Sequence, residues 1–357
     1  MSITHGANLF ELAEKLGLEK EEILDFSSNI NPFGASNKAK KAVIEKIEQV
    51  SIYPDPEYRE LRRAIGEYAE CNMDNIVLGE GATELISSYI SIINPKKAII
   101  LYPSYSEYEK ELNKINCEVH KYFAKKENNF KVDLEDFKNE INKGNYDLVI
   151  ICNPNNPTGF CFKREEIEDI LKNTKSAVML DETYIEFADK KEYSSASLVD
   201  KYENIFLIRG TSKFFSTPGI RLGYGLISNV DIKKEILKKI PLWNINIFAT
   251  VMGEVMFRDK EFIETTLVHV KKEIRNLVEN LNTIDYIKVY ETKGNFILCE
   301  ISSGKKAKEL YDILVKKGMI IRDCASFEGL GENFFRVCIL KTEDNKKLID
   351  EMKKINL

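Results

Sequence analysis

Short runs of apolar, β-branched residues recur through the middle of the chain, and segments of helical period separate them. The runs predict seven strands, at residues 75–81, 97–103, 117–122, 148–154, 177–182, 205–211 and 222–228. The segments where apolar residues recur every three or four positions predict helices that include 83–93, 107–115, 134–141 and 164–171. Strands that alternate with helices indicate an α/β fold with a mostly parallel, seven-stranded sheet between helices.

The pattern changes after residue 230, where a long, lysine-rich helix is predicted at 262–281. The rest of the chain predicts four strands and two helices, at 286–290, 295–301, 319–323 and 334–339, and at 307–317 and 343–355. This mixture predicts a second, smaller α+β domain. We therefore expect an N-terminal arm with a small-domain segment over 1–45, a large domain over 46–245 and a small domain over 246–357.

Composition narrows the possible functions. The chain has 357 residues, which suits two domains, and a formal charge of −5, which argues against a general nucleic-acid binder. Seven scattered cysteines without a CxxC pair and only three histidines argue against a zinc site. The chain has no apolar signal stretch and no run of eighteen apolar residues, so we expect a cytoplasmic protein with no membrane partner.

Four segments at predicted strand ends carry candidate chemistry, at residues 79–85, 152–159, 180–184 and 210–223. The glycine turn of the first leaves backbone N–H groups at a helix start for an anion, and the prolines of the second fix a turn. Asp181 ends an apolar strand and needs a partner if it is buried. Lys213, followed eight residues later by Arg221, suits an imine-forming lysine beside a phosphate-binding group. Taken singly, the first segment is more typical of a plain turn and the lysine of a surface lysine, and the second and third are also typical of a rigid turn and a helix cap.

Taken in order, the segments resemble the fold type I pyridoxal-phosphate enzymes of the class I/II aminotransferase group. The resemblance covers essentially the whole chain and rests on the glycine turn, Asn-Pro-Thr-Gly at 156–159, Asp-x-x-Tyr at 181–184, Ser-Lys at 212–213 and Arg-x-Gly at 221–223. It implies a pyridoxal 5'-phosphate cofactor and a homodimer.

The resemblance also implies roles for single residues. Lys213 is expected to bind the cofactor covalently and to move protons, Asp181 to pair with the ring nitrogen, and Tyr105 to stack on the ring. Further cofactor contacts are implied for Gly81, Ala82, Thr83, Asn156, Tyr184, Ser212 and Arg221, and for Tyr53 across the dimer interface. Substrate contacts are implied or suggested for His5, Asn31, Asn156, Arg322 and Arg336, with the two arginines dividing a phosphate and a carboxylate between them.

Two subfamilies compete for the substrate. Three segments resemble threonine-phosphate decarboxylase: residues 24–34, the lysine loop at 212–224, and residues 321–330. In contrast, Tyr184 is typical of histidinol-phosphate aminotransferase. The leading expectation is decarboxylation of L-threonine O-3-phosphate to (R)-1-amino-2-propanol O-2-phosphate for cobalamin biosynthesis. The alternative is an aminotransferase for histidinol phosphate or another amino acid, with 2-oxoglutarate. A non-catalytic regulator is a third class, and the intact Lys213 argues against it. The first two differ in how the substrate is held, on a scale of about 1 Å.

Overall fold

The computed structural model describes residues 8–357 of the chain. These residues form thirteen α-helices, α1 to α13 in chain order: Leu9–Leu16, Asn37–Glu45, Arg59–Ala69, Ala82–Ile93, Glu107–Lys114, Leu134–Gly144, Arg164–Asn173, Lys190–Tyr193, Val230–Lys239, Ile247–Met256, Lys260–Leu281, Ala307–Val315 and Thr342–Met352. They also form thirteen strands, β1 to β13: Leu24–Asp25, Ile76–Gly79, Lys97–Tyr102, Glu118–Phe123, Leu148–Cys152, Ala177–Asp181, Ile205–Gly210, Gly223–Leu226, Ile287–Val289, Phe296–Ile301, Met319–Ile320, Arg322–Asp323 and Phe334–Cys338.

Seven strands form a large sheet in the order β2-β8-β7-β6-β5-β3-β4. All pairs in this sheet are parallel except those of β8, which is antiparallel to both β2 and β7. The predicted mostly parallel sheet of seven strands is therefore confirmed. The loop that carries Lys213 reverses the chain between β7 and β8, so that Gly210 pairs with Gly223.

Helices cover both faces of the large sheet, and this explains the nearly continuous apolar runs of its strands. In β5, Val149 and Ile151 point into the core on one face, while Leu148 and Ile150 point into the core on the other face. All four side chains are completely buried. The polar residues that follow such strands are therefore carried to the edge of a rigid, fully packed sheet.

A small sheet of four antiparallel strands, in the order β12-β13-β10-β9, packs with α11, α12 and α13 around a second core. The predicted single strand at 319–323 is wrong, because the chain divides at Ile321 between two sheets. Met319–Ile320 pairs in parallel with Leu24–Asp25, whereas Arg322–Asp323 pairs with β13. The second pairing places Arg322 directly opposite Arg336.

Helix α10 lies beyond the predicted boundary at residue 245, but it packs on α2 and α3. Its Ala249, Met252 and Met256 contribute to the same core as one face of the large sheet. The domain bounds stay predictions.

None of the helices described between residues 8 and 357 is long and apolar enough to cross a membrane. Within the same range, no group of three or more His, Cys, Asp or Glu side chains is arranged to hold a metal ion.

Candidate active site

A cavity of about 720 Å³ lies where the carboxyl ends of β5, β6 and β7 face the small sheet. Polar side chains from both sheets and from the segment 27–30 line it. The structure brings eleven of the predicted site residues together there: Ala82, Thr83, Tyr105, Asn156, Asp181, Tyr184, Ser212, Lys213, Arg221, Arg322 and Arg336. Residues more than two hundred positions apart in sequence thus share one cavity.

Lys213 lies on a firmly held loop. Thr217 Oγ1 donates to the carbonyl and the hydroxyl of Thr211, at 3.0 and 2.9 Å, and the next two residues, Phe214 and Phe215, are buried in the core. The Lys213 amine donates to the Ser28 carbonyl at 2.7 Å. Burial, and next the positive charge of Arg336, lower the pKa of Lys213 to about 8. The amine is therefore much more readily neutral, and so nucleophilic, than that of a surface lysine.

Asp181 presents a buried carboxylate at the end of β6. Its Oδ2 accepts from the Tyr108 hydroxyl at 2.6 Å, and its Oδ1 accepts from the Thr183 backbone N–H at 2.9 Å. Burial raises the pKa of Asp181, because the charged form loses its hydration. A cation beside this carboxylate would stabilise the charged form. The sequence analysis missed Tyr108, which lies three residues after Tyr105 in the first turn of α5.

An anion cradle forms where β2 meets α4. Gly81 precedes the helix with φ +81°, and a Cβ there would lie 2.6 Å from Arg221 Nη2. Only glycine lets the guanidinium approach the helix start, and the first N–H groups of α4 have no partner within the helix. Arg221 Nη1 and Nη2 donate to the carbonyls of Pro218 and Glu80, at 3.3 and 3.2 Å. A helix start beside an arginine is a suitable site for phosphate.

Two arginines face each other at the small-sheet side. Arg336 is buried, donates through Nη2 to the Ser27 carbonyl at 2.6 Å, and donates through Nη1 to Asn156 Oδ1. Arg322 is half-buried and donates to Ser326 Oγ at 2.9 Å. Burial, and next the charge of Arg336, lower the pKa of Arg322. Two guanidinium groups in one cavity make a site for an anionic ligand.

Aromatic side chains also line the cavity. The hydroxyl of Tyr184 accepts from Asn29 Nδ2 at 3.2 Å, and burial keeps its pKa well above the ordinary value, so the phenol stays neutral. Tyr105 packs its ring edge-on to Tyr108, with centroids 5.6 Å apart, and the pKa of Tyr105 is raised by burial to about 12. The sequence analysis missed Asn29, because nothing local shows that it reaches a residue 155 positions away.

Three of the predicted residues that the structure describes do not line the cavity. Asn31 donates to the Phe214 carbonyl at 2.8 Å and to Thr266 Oγ1 at 3.0 Å, so its side chain supports the lysine loop. Tyr53 is 76% exposed and stacks on Trp243, with ring centroids 4.3 Å apart. Gly81 acts through its backbone, behind the cavity wall, and His5 lies outside the described residues.

The arrangement fits pyridoxal phosphate. Lys213 offers a nucleophilic amine for the aldehyde, the cradle at Gly81 and Arg221 suits the phosphate, and Asp181 suits a protonated ring nitrogen. Moreover, buried polar atoms of two lining residues, Asn29 Oδ1 and Arg336 Nε, have no hydrogen-bond partner within the protein. Buried polar atoms are rarely left unpaired, so these two atoms are suitably placed to contact a polar ligand.

Comparison with known proteins agrees with this chemistry. The model of the family described as aminotransferase class I and II matches residues 21–352. A protein of Caldanaerobacter subterraneus subsp. tengcongensis, provisionally named a threonine-phosphate decarboxylase, is 40% identical over 91% of this chain and 88% of its own. A histidinol-phosphate aminotransferase of Methanosphaera stadtmanae is 33% identical over 98% and 95% of the two chains. The solved structure of the histidinol-phosphate aminotransferase of Clostridium acetobutylicum is 36% identical, with a TM-score of 0.87 over 93% of this chain and 98% of that chain.

Proposed function

Since the chain belongs to the class I and II aminotransferase family, which uses pyridoxal phosphate, we propose that it decarboxylates L-threonine O-3-phosphate. The products would be CO₂ and (R)-1-amino-2-propanol O-2-phosphate, for cobalamin biosynthesis in the cytoplasm. The observation that supports this reaction is the 40% identity to the Caldanaerobacter protein across 91% of the chain. The opposed guanidinium groups of Arg322 and Arg336 suit a substrate with two anionic groups.

Each residue has a proposed part in the reaction. Pyridoxal phosphate, when bound, takes up the electron pair of the bond that breaks at the substrate α-carbon. Arg336 binds the substrate carboxylate and Arg322 binds the phosphate. Lys213, whose pKa is about 8, holds a proton that it delivers from Nζ to the α-carbon after CO₂ has left. Asp181 retains a negative charge at the base of the site.

Transamination of histidinol phosphate is the second candidate. The Clostridium structure, at 36% identity and a TM-score of 0.87, favours it. The same two arginines would then hold the phosphate of histidinol phosphate or the carboxylates of 2-oxoglutarate. The two candidates differ in whether the carboxylate or the hydrogen leaves the α-carbon, so a product measurement separates them.

The test is a single turnover of the purified holoenzyme with L-threonine O-3-phosphate, in which released CO₂ and the absorbance of the cofactor are followed together. We expect one CO₂ per site with the cofactor spectrum restored, and no CO₂ from a Lys213→Ala variant. An absence of CO₂ from the wild-type protein, with conversion of the cofactor to its amine form by histidinol phosphate, would refute decarboxylation and establish the aminotransferase.

The proposed active unit is a homodimer. Five side chains in the segment from α2 to Tyr53 are large, apolar and exposed by 46% or more: Ile44, Ile47, Val50, Ile52 and Tyr53. Trp243 extends this surface by stacking on Tyr53. A concentration of large, exposed apolar side chains in one short segment is typical of a protein interface. In the proposed dimer Tyr53 reaches the cofactor phosphate of the neighbouring subunit.

A further inference from the structure

Two consecutive backbone carbonyls hold the two cationic side chains on which the proposed reaction depends. The Ser28 carbonyl accepts from Lys213 Nζ at 2.7 Å, and the Ser27 carbonyl accepts from Arg336 Nη2 at 2.6 Å. Lys213 follows a strand of the large sheet, whereas Arg336 lies on a strand of the small sheet. The turn at Ser27 and Ser28 therefore lies between the two sheets and contacts both.

Asp25 fixes the shape of this turn. Its Oδ1 accepts from the backbone N–H and the hydroxyl of Ser27, at 2.8 and 2.6 Å, and its Oδ2 accepts from the hydroxyl of Ser28. Asp25 does not itself line the cavity. One carboxylate thus accepts three hydrogen bonds from two adjacent residues, and this leaves the carbonyls of those residues little freedom to rotate.

The backbone around Asp25 is fixed as well. Strand β1, which ends at Asp25, pairs with β11, and the next residue, Phe26, is completely buried. The Phe26 N–H donates to the Ile320 carbonyl, and the Phe26 carbonyl accepts from the Cys338 N–H, both at 2.8 Å. Because strand β1 holds Asp25 in place, the Asp25 carboxylate in turn holds the turn at Ser27 and Ser28 in place.

We propose that Asp25 is a positioning residue for the reaction. It aims the Ser28 carbonyl at the Lys213 amine whenever that amine is not joined to the cofactor, and it aims the Ser27 carbonyl so that Arg336 faces the substrate carboxylate. The proposal rests on the proposed roles of Lys213 and Arg336. It holds for decarboxylation and for transamination alike, because both require a free lysine amine in a defined place.

The pKa of the Lys213 amine depends on Asp25 and on the position of the Ser28 carbonyl. Besides burial, the charged and titratable groups that act on its amine are Arg336, which lowers the pKa, and Cys338 and Asp25, which raise it. A carbonyl that accepts from the amine also favours its charged form. Loss of Asp25 removes a negative charge and loosens the Ser28 carbonyl, and both changes lower the pKa of Lys213.

The experiment measures how fast the full-length protein, freed of cofactor, captures added pyridoxal phosphate between pH 6 and 10. Only the neutral amine reacts with the aldehyde, so the rate rises through the pKa of Lys213, about 8 in the wild-type protein. In Asp25→Asn we expect the midpoint to fall by about 0.5 pH unit or more, which is roughly a threefold gain of neutral amine at low pH. An unchanged midpoint would overturn the proposal.

Three variants complete the test. Asp25→Glu keeps the charge but cannot keep all three contacts, so we expect its midpoint to fall too. A wild-type midpoint in Asp25→Glu would show that Asp25 acts through its charge alone, and this would contradict the positioning role. Ser28→Ala removes one of the three contacts, so its midpoint should fall by less than that of Asp25→Asn. If Asp25→Asn does not fold, Ser28→Ala takes its place in the test. Asp133→Asn alters an exposed carboxylate that caps α6, and it should leave the midpoint unchanged.

If the wild-type protein captured no cofactor at Lys213, the proposed function would fail, whereas a wild-type midpoint in every variant would refute only the role of Asp25.

Discussion

Asp181 is a buried carboxylate, and burial raises its pKa because the charged form loses its hydration. Thr183, through its side chain and its backbone N–H, and the Tyr108 hydroxyl oppose this effect. The backbone N–H cannot be removed by substitution, but the Tyr108 hydroxyl can. The Tyr108 hydroxyl therefore helps Asp181 to stay charged in the role proposed for it.

Replacement of Tyr108 by phenylalanine should weaken cofactor binding. The carboxylate loses a hydrogen bond worth about 1.5 kcal/mol, which corresponds to roughly tenfold in affinity. The pKa of Asp181 rises further, so the loss should be larger at low pH, where less of the carboxylate is charged. The measurement is the dissociation constant of pyridoxal phosphate, by equilibrium dialysis at several pH values.

Tyr122→Phe is the matched control, because the Tyr122 hydroxyl donates at the same 2.6 Å to a carboxylate outside the cavity, that of Asp136. It should bind the cofactor as the wild-type protein does. Equal affinities of Tyr108→Phe and the wild-type protein would mean that Asp181 does not depend on the hydroxyl.

Helices and strands show which parts of the molecule the sequence could predict. Six of the seven strands of the large sheet are almost wholly buried, so each reads as a local apolar run, and Asp181 and Lys213 could be placed because they lie at the ends of such runs. The edge strand β4 is only partly buried. The division of 319–323 between two sheets could not be predicted, since it depends on partners near Leu24 and Phe335. Asp25, Asn29 and Tyr108 were missed for the same reason, because their partners are distant in sequence or unremarkable locally.

The loop between β12 and β13 also depends on a distant partner. Gly329 has φ +94°, and a Cβ there would lie 2.6 Å from the Phe123 ring on β4. The neighbouring Glu328 pairs with Lys121, also on β4, at 2.6 Å. The loop is thus docked against the large sheet at the cavity, and it carries Ser326, which accepts from Arg322.

Replacement of Gly329 by alanine should lift this loop and disturb Arg322. We expect KM for the phosphorylated substrate to rise several-fold while kcat changes less, because the loop supports Arg322, the residue proposed to bind the substrate phosphate, rather than the reacting carbon. Gly304→Ala is a control for backbone strain, since Gly304 has φ +83° but nothing within 4 Å of the added Cβ. The measurement is the steady-state kinetics of the two variants. An equal KM in both would show that the contact of the loop with Phe123 has no effect on KM for the substrate.

At the scale of the whole molecule, residues 8–357 expose a group of large apolar side chains between α2 and Tyr53. Ile44, Ile47, Val50 and Ile52 are all substantially exposed beside Tyr53, on a part of the chain that packs through α2 onto α10. We expect sedimentation to give twice the 41.1 kDa mass of one chain. A charge at the centre of the surface, as in Val50→Asp, should produce monomers.

Hybrid dimers test whether Tyr53 serves the neighbouring subunit. Each hybrid joins a chain with Lys213→Ala to a chain with Tyr53→Phe, and turnover is measured at limiting pyridoxal phosphate. If Tyr53 reaches across, one of the two sites has both an intact Lys213 and an intact Tyr53, so each hybrid recovers one wild-type site. If Tyr53 acts within its own subunit, every site with Lys213 lacks the tyrosine hydroxyl and stays at the level of Tyr53→Phe. Since that hydroxyl would donate to a charged phosphate, the two outcomes should differ by roughly tenfold or more in cofactor affinity.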